Sequence, residues 1–207
     1  MLEFFINTFI VLFVVLDPIG VAPIFAVLTQ NETVAQRRAI ALRGTLIAAI
    51  LLFLFALGGH VLLGSLGISM DAFRIAGGVL LFLLAIDMVF ARQSGLRSTT
   101  HGEESEAKQR TDISVFPLAI PLIAGPGAMT TLLLLLGEAE EQAPLIGIVL
   151  GTLALVLILH YIALIFSAQI MAILGQTGTN VVGRVLGLLL AALAIQYILD
   201  GLLHQFS

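Results

Sequence analysis

Leu16-Asp17-Pro18-Ile19-Gly20-Val21-Ala22-Pro23 interrupts an apolar run that extends from Phe4 to Leu28. About 20 apolar residues suffice for a helix to cross a bilayer. The run is long enough, yet an acid, two prolines and a glycine stand at its centre, near residue 16. Proline removes a backbone donor and clashes with the preceding turn. A carboxylate at the bilayer centre costs about 2.5–3.5 kcal/mol on the insertion scale. Hydrocarbon offers no partner to the freed backbone groups, so such a break must face protein or a wet cavity. A second break, Ala124-Gly125-Pro126-Gly127-Ala128-Met129-Thr130-Thr131, falls near the centre of the apolar run Ile113–Leu136.

Composition places both breaks in a membrane. Hydrophobic residues make up 59% of the 207-residue chain and charged residues only 11%, whereas soluble domains carry about 25% charged residues. Six apolar stretches are expected, at about 4–28, 40–64, 68–90, 113–136, 144–167 and 180–204. The polar segment 91–112 divides them into a first three-helix unit, 1–90, and a second, 113–207. Cysteine is absent, which excludes disulfides, thiolate nucleophiles and cysteine metal sites. No cofactor or metal is expected, and no basic stripe suggests nucleic acid.

Arg37, Arg38, Arg43, Arg92, Arg97, Lys108, Arg110 and Arg184 fall in or beside loops that share one side of the membrane, against Arg74 alone on the other. This positive-inside bias predicts that both termini face away from the cytoplasm. Displacing the sequence by 108–110 residues aligns Leu66-Gly67 with Leu174-Gly175, Pro18 with Pro126 and Arg74 with Arg184. Gly44-Thr45 falls near Gly151-Thr152 in the same register. Because each unit has an odd number of spans, the second enters from the opposite side. The expected fold is an all-α polytopic membrane protein: six transmembrane helices as two inverted-topology three-helix repeats, with helices 1 and 4 broken at the midplane. Secondary transporters use this architecture, with substrate bound between the repeats.

Asp17 suits a helix N-cap with Pro18 at the first helical position, and Gly125-Pro126 can start a second half-helix in the same way. Helix N-termini offer unpaired amides and a partial positive charge to an anion such as a carboxylate. Asp17, freed carbonyls and the Thr130 and Thr131 hydroxyls suit an ammonium group or a cation. The expected substrate site is therefore Asp17, Pro18, Gly20, Gly125, Pro126, Gly127, Thr130 and Thr131. His160, deep in the fifth span, reads equally as a proton relay or a structural histidine. Gln196 is an accessory polar candidate, and Arg74 and Arg184 read as interfacial anchors or a gating pair. Gly77-Gly78, and Gly183 with Gly187, suit close helix packing. Pro117, Pro121 and Pro144 taken singly read as kinks.

At these residues the chain resembles the MarC family of bacterial inner-membrane proteins, also called UPF0056 or the neutral amino acid transporter family. The resemblance rests on Asp17-Pro18-Ile19-Gly20 with Pro23-Ile24-Phe25, on Arg37-Arg38-Ala39-Ile40, on Phe116 to Gly127, and on Gln196 with Leu199-Asp200-Gly201. It implies a multi-pass protein of the bacterial inner (plasma) membrane with periplasmic termini. It also implies transport of small neutral amino acids or related small metabolites. Val21 departs from the pattern, since the family often has Asn there. A proton or sodium ion is the expected coupling partner, the lipid bilayer the solvent, and assembly as a homo-oligomer stays open. Drug or metabolite efflux, and a membrane protein without transport activity, are the rival readings. An enzyme is not expected, because only one carboxylate lies at depth. Fused at its C-terminus, alkaline phosphatase should be active and a fluorescent protein dark; bright cytoplasmic fluorescence would overturn this topology.

Overall fold

A computed structural model describes residues 1–90, 112–139 and 142–206, all but the linkers in helical segments. Among the described residues there are seven α-helices: α1 (Leu2–Leu16), α2 (Pro18–Leu28), α3 (Val34–Ser65), α4 (Met70–Phe90), α5 (Pro126–Glu138), α6 (Ala143–Ile165) and α7 (Ser167–Phe206). An irregularly wound segment, Ser114–Ile123, precedes α5. Five stretches are long and apolar enough to cross a membrane: Leu2–Leu28, Val34–Ser65, Met70–Phe90, Ala143–Ile165 and Thr177–Leu203. Ser114–Ile123 and α5, bent by 49° at their junction, would together make a sixth. Of the polar linker 91–112, only Asp112 lies within the described residues.

Local chemistry accounts for the segment ends. Thr33 and Gln36 form a reciprocal capping box that starts α3, with the Thr33 amide donating to Gln36 Oε1 at 2.9 Å. Arg37 reaches back, and its Nε donates to the Thr29 carbonyl at 2.8 Å, covering the C-terminal end of α2. In Ser114–Ile123 the residues before Pro117 and Pro121 are extended, Phe116 at φ −132°, ψ 125° and Ile120 at φ −130°, ψ 125°. Proline's ring disfavours the helical region for its predecessor. Displaced hydrogen bonds then span five residues, from the Leu118 amide to the Ile113 carbonyl and from the Ala124 amide to the Ala119 carbonyl.

The interrupted pieces lie inside the bundle. Over half of the hydrophobic window in Leu2–Leu28 is buried (56%), against 22% in α3 and 28% in the last span. Burial is where irregular backbone must go when the solvent is lipid. Leu12, Leu16, Phe25, Leu118, Ile123 and Leu132 are among the fully buried side chains there. α1 packs on α6 and α5, and Ser114–Ile123 packs on α3; α2 packs on α7 and α6, while α5 packs on α4 and α3.

The most extensive contact joins α4 and α7. It is antiparallel and glycine-mediated. A Cβ on Gly78 would come within 2.7 Å of the Ala194 carbonyl, one on Gly187 within 2.7 Å of Met88 Cβ, and one on Gly201 within 3.0 Å of the Asp71 carbonyl. Small residues permit this backbone approach, the means by which membrane helices associate. A Cβ on Gly183 would meet nothing within 4 Å, so of the two spaced glycines only Gly187 packs in this interface.

Arg43 and Asp112, 2.8 Å apart, pair at one end of the bundle. The Ser114 hydroxyl bonds the Asp112 carboxyl and holds it below the usual carboxylate range, more than burial raises it; the Ser114 amide and Arg43 add to this. The pair is thus fully charged above that range and loses its charge only as pH falls through the depressed value.

Candidate functional site

Two helix starts define the candidate site. At the first, Asp17 stands between α1 and α2 at φ 46°, ψ 62°. Left-handed geometry is uncommon for a residue with a side chain, though Asp tolerates it better than most. The amide of Asp17 still donates to the Phe13 carbonyl, and the Asp17 carbonyl accepts from Val21, each at 3.0 Å. Its carboxylate accepts the Gly20 amide at 2.9 Å. Asp17 is therefore the C-cap of one helix and the N-cap of the next, with Pro18 at the first helical position. Gly20 is required by this arrangement, since a Cβ there would lie 2.1 Å from Asp17 Oδ2.

The second start, at Gly125-Pro126, also places a cap residue before a proline. Gly125 is the N-cap of α5, extended at φ −78°, ψ 169°, and it supplies no side-chain cap. The first helical hydrogen bond runs from the Met129 amide to the Gly125 carbonyl. The amides of Gly127 and Ala128 thus precede the first turn's acceptors and have none within the helix. They border a recess of about 30 Å³ lined by Val15 of α1, Leu80 and Leu84 of α4, Pro121 to Ile123, and Gly125 to Ala128. Every lining side chain is apolar, so the polar groups of the wall are backbone ones. A Cβ on Gly125 would approach the Pro121 carbonyl to 2.5 Å, and one on Gly127 would approach Leu81 Cδ2 to 2.9 Å.

The structure brings part of the expected site together. Gly125, Pro126 and Gly127 line the recess, but Asp17, Pro18, Gly20, Thr130 and Thr131 do not. Asp17 is 1% exposed and engaged with its own helix. The Thr130 methyl sits against Gly77 of α4, where it leaves no room for a Cβ. Thr131 is fully buried, and its hydroxyl has no hydrogen-bond partner. Val21 is fully buried in the core, which puts the departure from the family pattern outside the recess wall. Val15, Leu80 and Leu84 are lining residues that sequence reasoning missed, because nothing distinguishes them from other apolar positions along a span.

The accessory residues separate. His160 is fully buried on α6, on the face that also buries Thr152 and Val156. Arg74 and Arg184 lie towards opposite ends of the α4–α7 pair and do not meet, as the contacts of Gly187 with Met88 and of Gly201 with Asp71 dictate. Gln196 is exposed and donates from Nε2 to Asp200 at 2.7 Å. Among the described residues no three His, Asp or Glu side chains gather as a metal ligand set.

A bundle of membrane-length helices, with two helix starts in its interior, defines a polytopic α-helical membrane protein. The chain belongs to the family described as MarC family integral membrane protein, which matches residues 2–206. It is 39% identical to the UPF0056 membrane protein YvbG of Bacillus subtilis, over 100% of this chain and 97% of that one. A UPF0056 membrane protein of Archaeoglobus fulgidus is 37% identical over 99% of this chain and 94% of its own. YhcE of Escherichia coli, also a UPF0056 membrane protein, is 36% identical over 94% and 89%. No solved structure matches the chain.

Asp17 and Gly20 depend on each other at the first cap. Gly20→Ala should dislodge the Asp17 carboxylate and cost as much as Asp17→Ala, about 0.5–2 kcal/mol for a lost N-cap, while Asp17→Asn should be tolerated. Thermal unfolding in detergent checks this; a Gly20→Ala protein as stable as the parent would contradict the cap.

Proposed function

We propose that this chain is a secondary transporter of small neutral amino acids or related small metabolites. It works in the bacterial inner membrane, with both termini periplasmic, and is a carrier, not an enzyme. Its fold is read as two inverted three-helix repeats, α1–α4 and Ser114 to α7, with their breaks at the midplane. Asp17-Pro18 and Gly125-Pro126 are each a cap followed by proline, 108 residues apart. Gly67 and Gly175, the positive-φ glycines among the described residues at φ 68° and 60°, have the same separation. Two of the main contacts correspond when the halves are exchanged: α2 on α7 matches α5 on α4, and α1 on α6 matches Ser114–Ile123 on α3.

The observation that carries the reading is the difference between the two caps. At α2 an internal carboxylate already occupies the helix start. At α5 a glycine leaves that place open, beside a recess. The carboxylate of a substrate would take at Gly127 and Ala128 what Asp17 takes at Gly20, supported by the helix dipole. The Pro121 carbonyl, beside Gly125, is the nearby acceptor for an ammonium group. The apolar faces of Leu80, Leu84 and Val15 suit an uncharged side chain. About 30 Å³ is roughly the volume of one water, far below an ordinary ligand pocket of about 300–1,000 Å³. On this reading the recess is closed and α5 moves to admit substrate. A proton or sodium gradient would drive the cycle, since the sequence has no ATP-binding loop. Drug efflux is less well supported, because no aromatic side chain lines the recess.

Counterflow of labelled alanine into proteoliposomes tests the proposal. Unlabelled alanine inside should accelerate entry, and alaninamide, which lacks the carboxylate, should compete roughly 10- to 150-fold less well, the equivalent of a lost charge-assisted hydrogen bond of about 1.5–3 kcal/mol. Gly127→Leu should insert normally and exchange at background rate. Absence of counterflow for every neutral amino acid tried, in a folded parent protein, would overturn the reading.

A further inference from the structure

Threonines inside the bundle use their hydroxyls in two ways. Thr29 and Thr152 each donate to the carbonyl four residues back, that of Phe25 at 2.7 Å and that of Ile148 at 2.6 Å. A threonine on a helix can always satisfy itself in this manner. Thr8 of α1 and Thr131 of α5 do not. Both residues are fully buried, and neither hydroxyl has a hydrogen-bond partner among the described residues. Taking a hydroxyl out of water without a partner is unfavourable, and native structures seldom carry such a group without a use for it. Thr45 shares the condition, but it belongs to α3, which contributes nothing to the wall of the recess.

Position ties Thr8 and Thr131 to the recess and to each other. Val15 of α1, and Gly127 and Ala128 of α5, line it. Thr8 lies seven residues from Val15, two turns along the same helix face, and Thr131 lies one turn from Gly127 and Ala128 on the face they share. α1 ends near the recess, α5 begins there, and the two helices pack on each other. They therefore run side by side away from it, in opposite chain directions, to the end of the bundle that carries Leu2 and Glu138. At 1.5 Å per residue Thr131 stands about 5 Å along this seam and Thr8 about 10 Å. Side chains on a helix lean towards its N-terminus, which tips Thr131 towards the recess and Thr8 away from it. α1 contains no glycine, so its half of the seam is made of side chains and can rearrange.

We infer that the α1–α5 seam is the passage between the recess and the N-terminal side of the membrane, with Thr131 and then Thr8 as its hydrogen-bonding steps. A hydroxyl both donates and accepts, so each step suits either end of a zwitterion or the water that travels with it. The buried side chains around them, Val11, Leu12, Leu134 and Leu135 among these, offer no such group. With the seam shut the two hydroxyls stand idle; with α5 drawn away from α1 they meet water or solute. That the solute is a neutral amino acid rests on the function proposed above, whereas the passage itself does not.

The chain lacks cysteine, so Thr131→Cys and Thr8→Cys are single reporters of the seam. Thr152→Cys, buried on α6, is the reference for general breathing of the fold. A membrane-impermeant methanethiosulfonate is added to vesicles from the side that carries the N-terminus. Thr131→Cys and Thr8→Cys should react roughly tenfold faster than Thr152→Cys, because a thiol must reach water to ionise and react. Thr131→Val and Thr8→Val keep the side-chain shape and remove the idle hydroxyl. Each should raise the thermal unfolding midpoint in detergent by about 2–4 °C. Each should also slow alanine counterflow roughly 2- to 10-fold, the worth of one hydrogen bond. A threonine with only a structural role would not give greater stability together with slower exchange. Labelling of both cysteines no faster than Thr152→Cys would overturn the passage, and in a parent that exchanges alanine it would leave the transport function standing. Valine variants that exchange at the parent rate would overturn the role of the hydroxyls. Fast labelling of both cysteines in a protein without counterflow would keep the passage and remove amino acid transport.

Discussion

The Asp17 carboxylate accepting the Gly20 amide inside an apolar bundle is the interaction on which much of the architecture turns. A helix that stops within hydrocarbon leaves amides and carbonyls bare, at a cost of several kcal/mol for each unsatisfied group. Asp17 removes part of that cost twice, by closing α1 with its amide and opening α2 with its carboxylate. The rest is removed by placement, since both interrupted spans are packed within the other helices. Gly20 is the steric complement of the cap, and Pro18 supplies a first helical residue that has no amide to satisfy.

The second break meets the same constraint with different means. Pro117 and Pro121 withdraw two amides from the fourth span, and the segment before α5 responds by winding to hydrogen bonds five residues long. No acid follows to cap α5. The contrast between a filled helix start and an open one, in otherwise matching positions, turns a structural necessity into a candidate binding site.

Much of this was legible in the sequence because Asp, Pro and Gly have few uses inside a membrane span. Asp17-Pro18 predicts its own cap geometry, and the apolar runs predict the helices that follow. Other features depend on tertiary contacts that no local pattern records. Thr130 reads as a substrate hydroxyl until α4 brings Gly77 against its methyl group. Gly183 and Gly187 read as a packing pair, but the antiparallel register with α4 uses Gly187 alone. The left-handed turn at Gly175 (φ 60°, ψ −177°) inside α7 follows from a glycine that sequence alone reads as an ordinary repeat match.

The central claim is that the open amides at the start of α5 receive the carboxylate of the substrate. Amide proton and nitrogen shifts of Gly127 and Ala128, in protein held in lipid nanodiscs and titrated with alanine, test it most directly. The account predicts saturable downfield shifts at those two amides and little change at Gly20, whose acceptor is already Asp17. Shifts at Gly20 with Gly127 and Ala128 unmoved, in protein that exchanges alanine, would contradict it.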